Sequence, residues 1–222
     1  MRGEQLADTV RRGLGRVADQ IGGWCDVYRP MPTIPPLSRT NRILRLPAAF
    51  TPSGDSFTKA ESYGAAEWWC VADAAYLRAG DYLVRAESRE GAADGGVWFV
   101  AAIQPLLPVL CVRASRMLSF KRPAAAPAAG ANGYGGVQAT SLDLLLDAWP
   151  ASVLAAGHNV GSGRVLPSDV ASGQWVVLLP ATPGVMLRSG DLVSDDLGRN
   201  GVVGAAEHTD LGWRLHVRQV TS

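Results

Sequence analysis

The chain is poor in the residues that most often announce a chemistry. It has 3 cysteines and 3 histidines in 222 residues. Cys25, Cys70 and Cys111 lie far apart, are odd in number and never form a CxxC pair, which leaves zinc and dithiol redox motifs unsupported. Each sits beside apolar or aromatic residues and reads as a small core side chain. Charge of one sign is lacking too: 21 basic residues meet 20 acidic ones, for a net +1. A dedicated nucleic-acid-binding domain would be strongly basic; a local basic patch remains compatible. No apolar run approaches the roughly 18–20 residues of a membrane-spanning helix. The first residues, MRGEQLADTVRRGLGRVADQIGG, carry charges throughout and hold no apolar core of a secretory leader. The expectation is a chain soluble when made, folding in a reducing cytoplasm.

Catalytic motifs are also missing. There is no HExxH and no GxSxG. His158 lies in a Gly-rich loop, His208 beside Glu207 and Asp210, and His216 on the polar face of the last strand. A metal centre needs three or four converging ligands, and the Glu207-His208-Asp210 group reads as a hairpin tip. Gly157, Gly161 and Gly163 are not followed by Lys-Ser/Thr, so they make no P-loop. SDDLGRN, Ser194 to Asn200, lacks the alternating acids and distal Glu of a calcium loop and reads as a turn. No catalytic residue, metal ligand or cofactor is assigned.

What is present is a repeat. AYLRAGDYLV (Ala75–Val84) and VMLRSGDLVS (Val185–Ser194) share Leu-Arg-small-Gly-Asp, and repeats are sought before other patterns. Upstream lie WWCVADAAY from Trp68 and WVVLLPATPGVM from Trp175. Downstream lie WFVAAI then LCVR (Leu110–Arg113), and VVGAAE then LHVR (Leu215–Arg218). Both halves thus give a Trp-led strand, a Gly-Asp turn, a strand with Ala-Ala and a strand ending in Val-Arg. Gly80 and Gly190 suit a positive φ, and Asp81 and Asp191 suit hydrogen bonds to the turn backbone. Residues 67–122 and 174–222 are expected to share one strand order.

Around these units the chain changes character. Leu6, Val10, Leu14, Val17 and Ile21 recur at helical spacing within an arc of roughly 80°. Gly13 and Gly15 weaken that helix by about 1 kcal/mol each relative to Ala, so it needs a surface to lean on: its own domain or a neighbouring subunit. Pro30, Pro32, Pro35 and Pro36 then forbid a helix and disfavour a central strand, giving an extended arm. ILRLPAAF (43–50) is a candidate strand. Pro105 and Pro108 divide AAIQPLLPVLCV into two strands. KRPAAAPAAGANGYGG reads as a linker. In SLDLLLDAWPASVLAAG, Pro150 disfavours a helix, leaving a short segment and a strand over 151–155. In WRLHVRQV, Trp213, Leu215 and Val217 point one way and Arg214, His216 and Arg218 the other.

The expected fold is mainly β, with two tandem small barrel or sandwich units, an N-terminal amphipathic helix and a Pro-rich arm. The expected division is 1–22 helix, 23–60 arm, 61–122 first unit, 123–140 linker and 141–222 second unit.

The segments VYRPMPTIPP, GDYLV, WFVAAIQPLLPVLCVRASRMLSFKRP, WPASVLAAG and QWVVLLPATPGVMLRSGDLVSDDLG together resemble small β-barrel structural proteins of tailed bacteriophages and prophages, of the head-closure, neck and tail-joining kind. Head-closure proteins usually hold one barrel, whereas two are read here. The resemblance implies a non-enzymatic virion protein, present in the host cytoplasm during assembly, that forms a homo-oligomeric ring around the DNA channel. Its partners would be itself and neighbouring neck or tail proteins, with DNA a non-specific passenger and no membrane. The subunit interface is assigned to Leu6, Val10, Leu14, Val17, Ile21, Pro35 and Pro36. Rival expectations are a capsid decoration or tail-fibre-associated protein, a small β-barrel enzyme, and a carbohydrate-binding module using some of the seven Trp; Trp98, Trp175 and Trp213 instead fit apolar strand patterns.

Overall fold

The computed structural model describes residues 3–32, 34–52, 66–86, 96–124, 141–155 and 173–220. Helix α1 (Gly3–Ile21) leads into β1 (Gly23–Tyr28), β2 (Arg42–Pro52), β3 (Glu67–Val71), β4 (Tyr82–Arg85), β5 (Val97–Ala102) and β6 (Val109–Ala114). After Ser115 come β7 (Arg116–Pro123), β8 (Leu142–Ala155), β9 (Gln174–Leu179), β10 (Leu192–Asp195), β11 (Asn200–Thr209) and β12 (Gly212–Val220). The strands close two barrels, ordered β1-β2-β3-β6-β5-β4 and β7-β8-β9-β12-β11-β10. The fold is mainly β with two units and one N-terminal helix, as the sequence leads one to expect.

The barrels are copies of one plan. Val27 pairs with Leu83 and Tyr28 with Tyr82, as Phe120 pairs with Val193 and Lys121 with Leu192. Pro47 stands opposite Trp24, and Pro150 opposite Met117. Strand β5 bulges after Val100 and β11 after Val203. Gly80 and Gly190 turn with φ of 92° and 90°, a left-handed conformation that favours glycine. Thus β3–β6 and β9–β12 do share one strand order.

The structure redraws the expected division. The repeated turn and Trp signals cover four strands per unit, and an open four-stranded sheet would leave two unpaired edges. Each barrel closes with an extra N-terminal hairpin: β1–β2 out of the supposed arm 23–60, and β7–β8. Strand β7, expected in the first unit, therefore belongs to the second barrel, and the chain crosses between barrels at Ser115. The supposed linker 123–140 joins β7 to β8 inside one barrel, since Ala124 N–H donates to the Ser141 carbonyl at 3.0 Å; residues 125–140 lie outside the described residues. The connections from β1 to β2 and from β7 to β8 occupy the same place in the two barrels, and an Arg-Pro pair, Arg29-Pro30 or Arg122-Pro123, stands at the start of each.

Strand β8 is continuous from Leu142 and takes Pro150 in its stride, where a short segment and a strand from 151 were expected. A bulge lets it do so. Ala148 adopts a φ of 47°, and the Ser119 hydroxyl accepts from Ala148 N–H while donating to Asp147 Oδ1, both at 3.1 Å.

Alternation sets the cores. Inside the first barrel lie Cys25, Val27, Cys70, Leu83, Trp98, Val100, Val109 and Cys111. The opposite faces of β4, β5 and β6 carry Tyr82, Phe99, Ala101 and Val112, all buried in a core shared with the second barrel. The Tyr82 hydroxyl donates to the Pro150 carbonyl at 2.7 Å, fixing this junction. On β12, Trp213, Leu215 and Val217 are buried while Arg214, His216 and Arg218 are exposed, as the alternation predicts.

Candidate functional site

The repeated Gly-Asp turn does more than turn the chain. Asp81 accepts two hydrogen bonds of 2.8 Å from Arg29, at Nε and Nη2, and a third from Arg78 N–H. Asp191 accepts from Arg122 Nε at 2.7 Å, Arg122 Nη2 at 2.9 Å and Arg188 N–H at 2.8 Å. Both carboxylates are buried and both guanidiniums partly exposed. Each arginine stands at the end of its barrel's first strand. The pair therefore clasps β1 to the β4 turn in one barrel and β7 to the β10 turn in the other. Charge-assisted bidentate pairs are the strong kind, and they hold the guanidinium pKa values above their usual range. The sequence signal was there unread: Arg29-Pro30 and Arg122-Pro123 are a second repeated motif.

Other carboxylates are likewise spent on structure. Asp195 is buried and accepts from Leu197 N–H, Arg199 N–H and Arg199 Nε within the SDDLGRN hairpin. Burial raises its pKa, but the Arg199 and backbone hydrogen bonds outweigh that and leave it lowered. Asp26, gripped by Arg45 and Arg42, is also lowered. His208 packs edge-on against Trp213 at the β11–β12 tip. His158 lies outside the described residues. Among the described residues, no group of three or more His, Cys, Asp or Glu side chains is placed to hold a metal. The three thiols are free and buried together inside the first barrel. Burial pushes Cys25 up to about 12 and raises Cys111 well above its usual value, so both stay protonated.

Of the seven residues assigned to an interface, five lie on α1, which docks on its own first barrel. The docking face is made of small residues. Ala7 and Ala18 are buried, and Gly15 comes so close that a β-carbon there would lie 3.2 Å from Asp73 Cβ. Contacts run to β2, β3 and the turn at Ala74–Tyr76. The row of large apolar residues lies to one side. Val10 and Leu14 are half-buried, while Leu6, Val17 and Ile21 are 43, 46 and 68 % exposed and Trp24, just beyond, is 58 % exposed. The helix thus has a surface to lean on, yet presents Leu6, Val17 and Ile21 of its apolar row to solvent.

Pro35 and Pro36 do not belong to an arm reaching away. Asn41 Nδ2 donates to both their carbonyls, at 3.0 and 3.1 Å. Arg29 N–H donates to the Asn41 carbonyl, closing the loop between β1 and β2. Pro36 is buried and Pro35 exposed. Leu37 packs against the core shared by the barrels. Asparagine satisfies the carbonyls that prolines leave without internal partners, so the loop folds back. Neither hydrophobic cluster among the described residues includes Pro35, Pro36 or the α1 row.

Compared with protein-family models, with curated proteins and with solved structures, the chain matches none.

Proposed function

We propose that the chain is a non-enzymatic structural protein that assembles with copies of itself, of the kind that forms a ring in the neck or tail of a tailed bacteriophage. One observation carries this reading: α1 is held to its barrel by small residues while Leu6, Val17 and Ile21 face solvent. A helix that needed only an intramolecular seat would turn its largest apolar residues inward. Exposed apolar rows of this kind mark contact surfaces. The buried carboxylates support the reading from the other side, because each is consumed by a clasp or a turn. In this account the ring surrounds the DNA channel, neighbouring neck or tail proteins are its other partners, and the virion is its final location.

The test is the mass of the full chain by light scattering, with and without the double substitution Val17→Asp and Ile21→Asp. The wild type is expected to be a multimer. The variant is expected to be smaller with an unchanged circular-dichroism melt, because both positions are exposed. A wild type that stays monomeric at every concentration, or a variant of unchanged mass, would refute self-assembly through α1. Recovery of the chain in purified tailed particles, lost in the variant, tests the virion assignment separately.

A further inference from the structure

We infer that copies of this chain join head to tail, the α1 row of one copy seating on the outer face of β10–β12 of the next. This rests on the self-assembly reading above and specifies its contact.

The molecule contains its own template for the contact. Within one chain, the first barrel offers the outer face of β4–β6, and the second barrel receives it beside β8, where Tyr82 bonds the Pro150 carbonyl. Register carries every part of this junction to its counterpart. Tyr82, Phe99, Ala101 and Val112 correspond to Leu192, Val202, Gly204 and Arg218. The first set is buried against the second barrel; in the second set Leu192 and Val202 are half-buried and Gly204 and Arg218 exposed. So the second barrel repeats the donor face and, among the described residues, leaves it at least partly exposed. A shallow groove of about 310 Å³ opens there, between Trp175, Val202, Gly204, His216 and Arg218.

At the other end the receiving side of the first barrel is taken. On the second barrel, β6 runs through Ser115 into β7 and packs beside β8. On the first barrel, α1 runs through Gly22 into β1 and packs beside β2. The helix therefore occupies, on the first barrel, the place that the first barrel occupies on the second. It works as the terminal cap of a two-unit array. A cap that only ended the array would present a polar outer face. This one presents Leu6, Val17 and Ile21, so it relays the junction to another chain. The partly exposed β10–β12 face is more polar than its buried counterpart, with Gly204 and Arg218 in place of Ala101 and Val112, as suits a joint between separate chains rather than a permanent core. Joints of this unlike-to-unlike kind close into rings or run into filaments.

The experiment uses two full-length variants. One carries Val17→Asp and Ile21→Asp, spoiling the helix row. The other carries Val202→Asp and Gly204→Asp, spoiling the β11 face; both positions are at least partly exposed, and matching melts check that each variant folds. Each variant alone is expected to be monomeric. Mixed in equal amounts they are expected to form a 1:1 heterodimer by light scattering, because one intact row still meets one intact face. If the wild type assembles and the β11 variant keeps its mass, the head-to-tail contact is wrong and an α1-to-α1 contact replaces it; if the wild type assembles and the mixture stays monomeric, both contacts are wrong. If the wild type itself never assembles, the self-assembly reading falls with it. Where the melt shows that Gly204→Asp unfolds the chain, Val202→Asp with Leu192→Asp serves as the face variant under the same outcomes.

Discussion

The first barrel points Cys25, Cys70 and Cys111 into its interior, where the second has Leu118, Val177 and Val217 at the matching register positions. The large ring moves as well. Trp98 fills the first barrel from β5, and its counterpart on β11 is Gly201, while Trp149 fills the second from β8 opposite Leu46 in the first. The exchange is compensated in volume. A β-carbon at Gly201 would meet Val217 Cγ1 at 2.5 Å, whereas the smaller Cys111 leaves room for Trp98. One backbone plan accepts two different fillings so long as total volume is conserved. What does not vary is the clasp: Arg29–Asp81 and Arg122–Asp191 agree bond for bond. The comparison teaches that the plan is carried by the turn, the clasp and the in–out alternation, and the identity of core residues is secondary.

The largest expected effect comes from breaking that constancy. Asp81→Ala and Asp191→Ala each leave an arginine without its partner and a turn N–H without its acceptor. Each is expected to cost about 3 kcal/mol in urea denaturation. The comparison is sharpened if the two costs agree to within about 1 kcal/mol. It breaks if one substitution is nearly silent, for then the two clasps are alike only in geometry.

A smaller effect should separate the barrels. The folded pKa of Cys25 and of Cys111 is raised by burial, while an unfolded thiol titrates near its ordinary value. The unfolded chain therefore loses protons first as the pH rises. The stabilisation is intact below about pH 8.5 and is lost on the way up to the folded value, at up to about 1.4 kcal/mol per pH unit for each thiol. Urea denaturation between neutral pH and pH 10 is expected to show this slope. Cys25→Ala with Cys111→Ala should flatten it, since Leu118 and Val217 give the second barrel no such group. A slope that survives both substitutions would place the alkaline sensitivity elsewhere.

Much of this plan was legible in the sequence, but not its extent. Leu-Arg-small-Gly-Asp marked the turn in both copies, and Trp68 and Trp175 correctly opened matching strands. The last two strands of each unit are matched one residue out of step in the sequence: Trp98–Ile103 is set against Val202–Glu207 and Leu110–Arg113 against Leu215–Arg218, whereas Trp98 corresponds to Gly201 and Cys111 to Val217. A one-residue slip exchanges inward and outward faces, and the cross-strand register reveals it: Phe99 pairs with Tyr82 and Val112, as Val202 pairs with Leu192 and Arg218. The N-terminal hairpins are only half legible. Residues 43–50 read as a strand in spite of Pro47, within what is β2, but Pro150 cuts β8 short, because proline normally argues against a strand, and the Pro-rich loops read as spacers. The Arg-Pro dipeptides were too short to stand out without the aspartates they meet. On α1, periodicity found the large apolar residues, but the docking face was chosen by close approach at Ala7, Gly15 and Ala18. A hydrophobic stripe shows that a helix has a preferred face and is silent on which face its own domain takes.

The assignment of β7 to the second barrel is where the two-copy account stands or falls, since without it the second barrel does not close on the plan of the first. Cross-strand nuclear Overhauser contacts in isotopically labelled protein test it directly. The account predicts contacts from Phe120 to Val193 and from Leu118 to Trp149, matched by Val27 to Leu83 and Cys25 to Leu46 in the first barrel. Finding the first-barrel contacts while β7 instead pairs with β6, or with no strand of the second barrel, would contradict it.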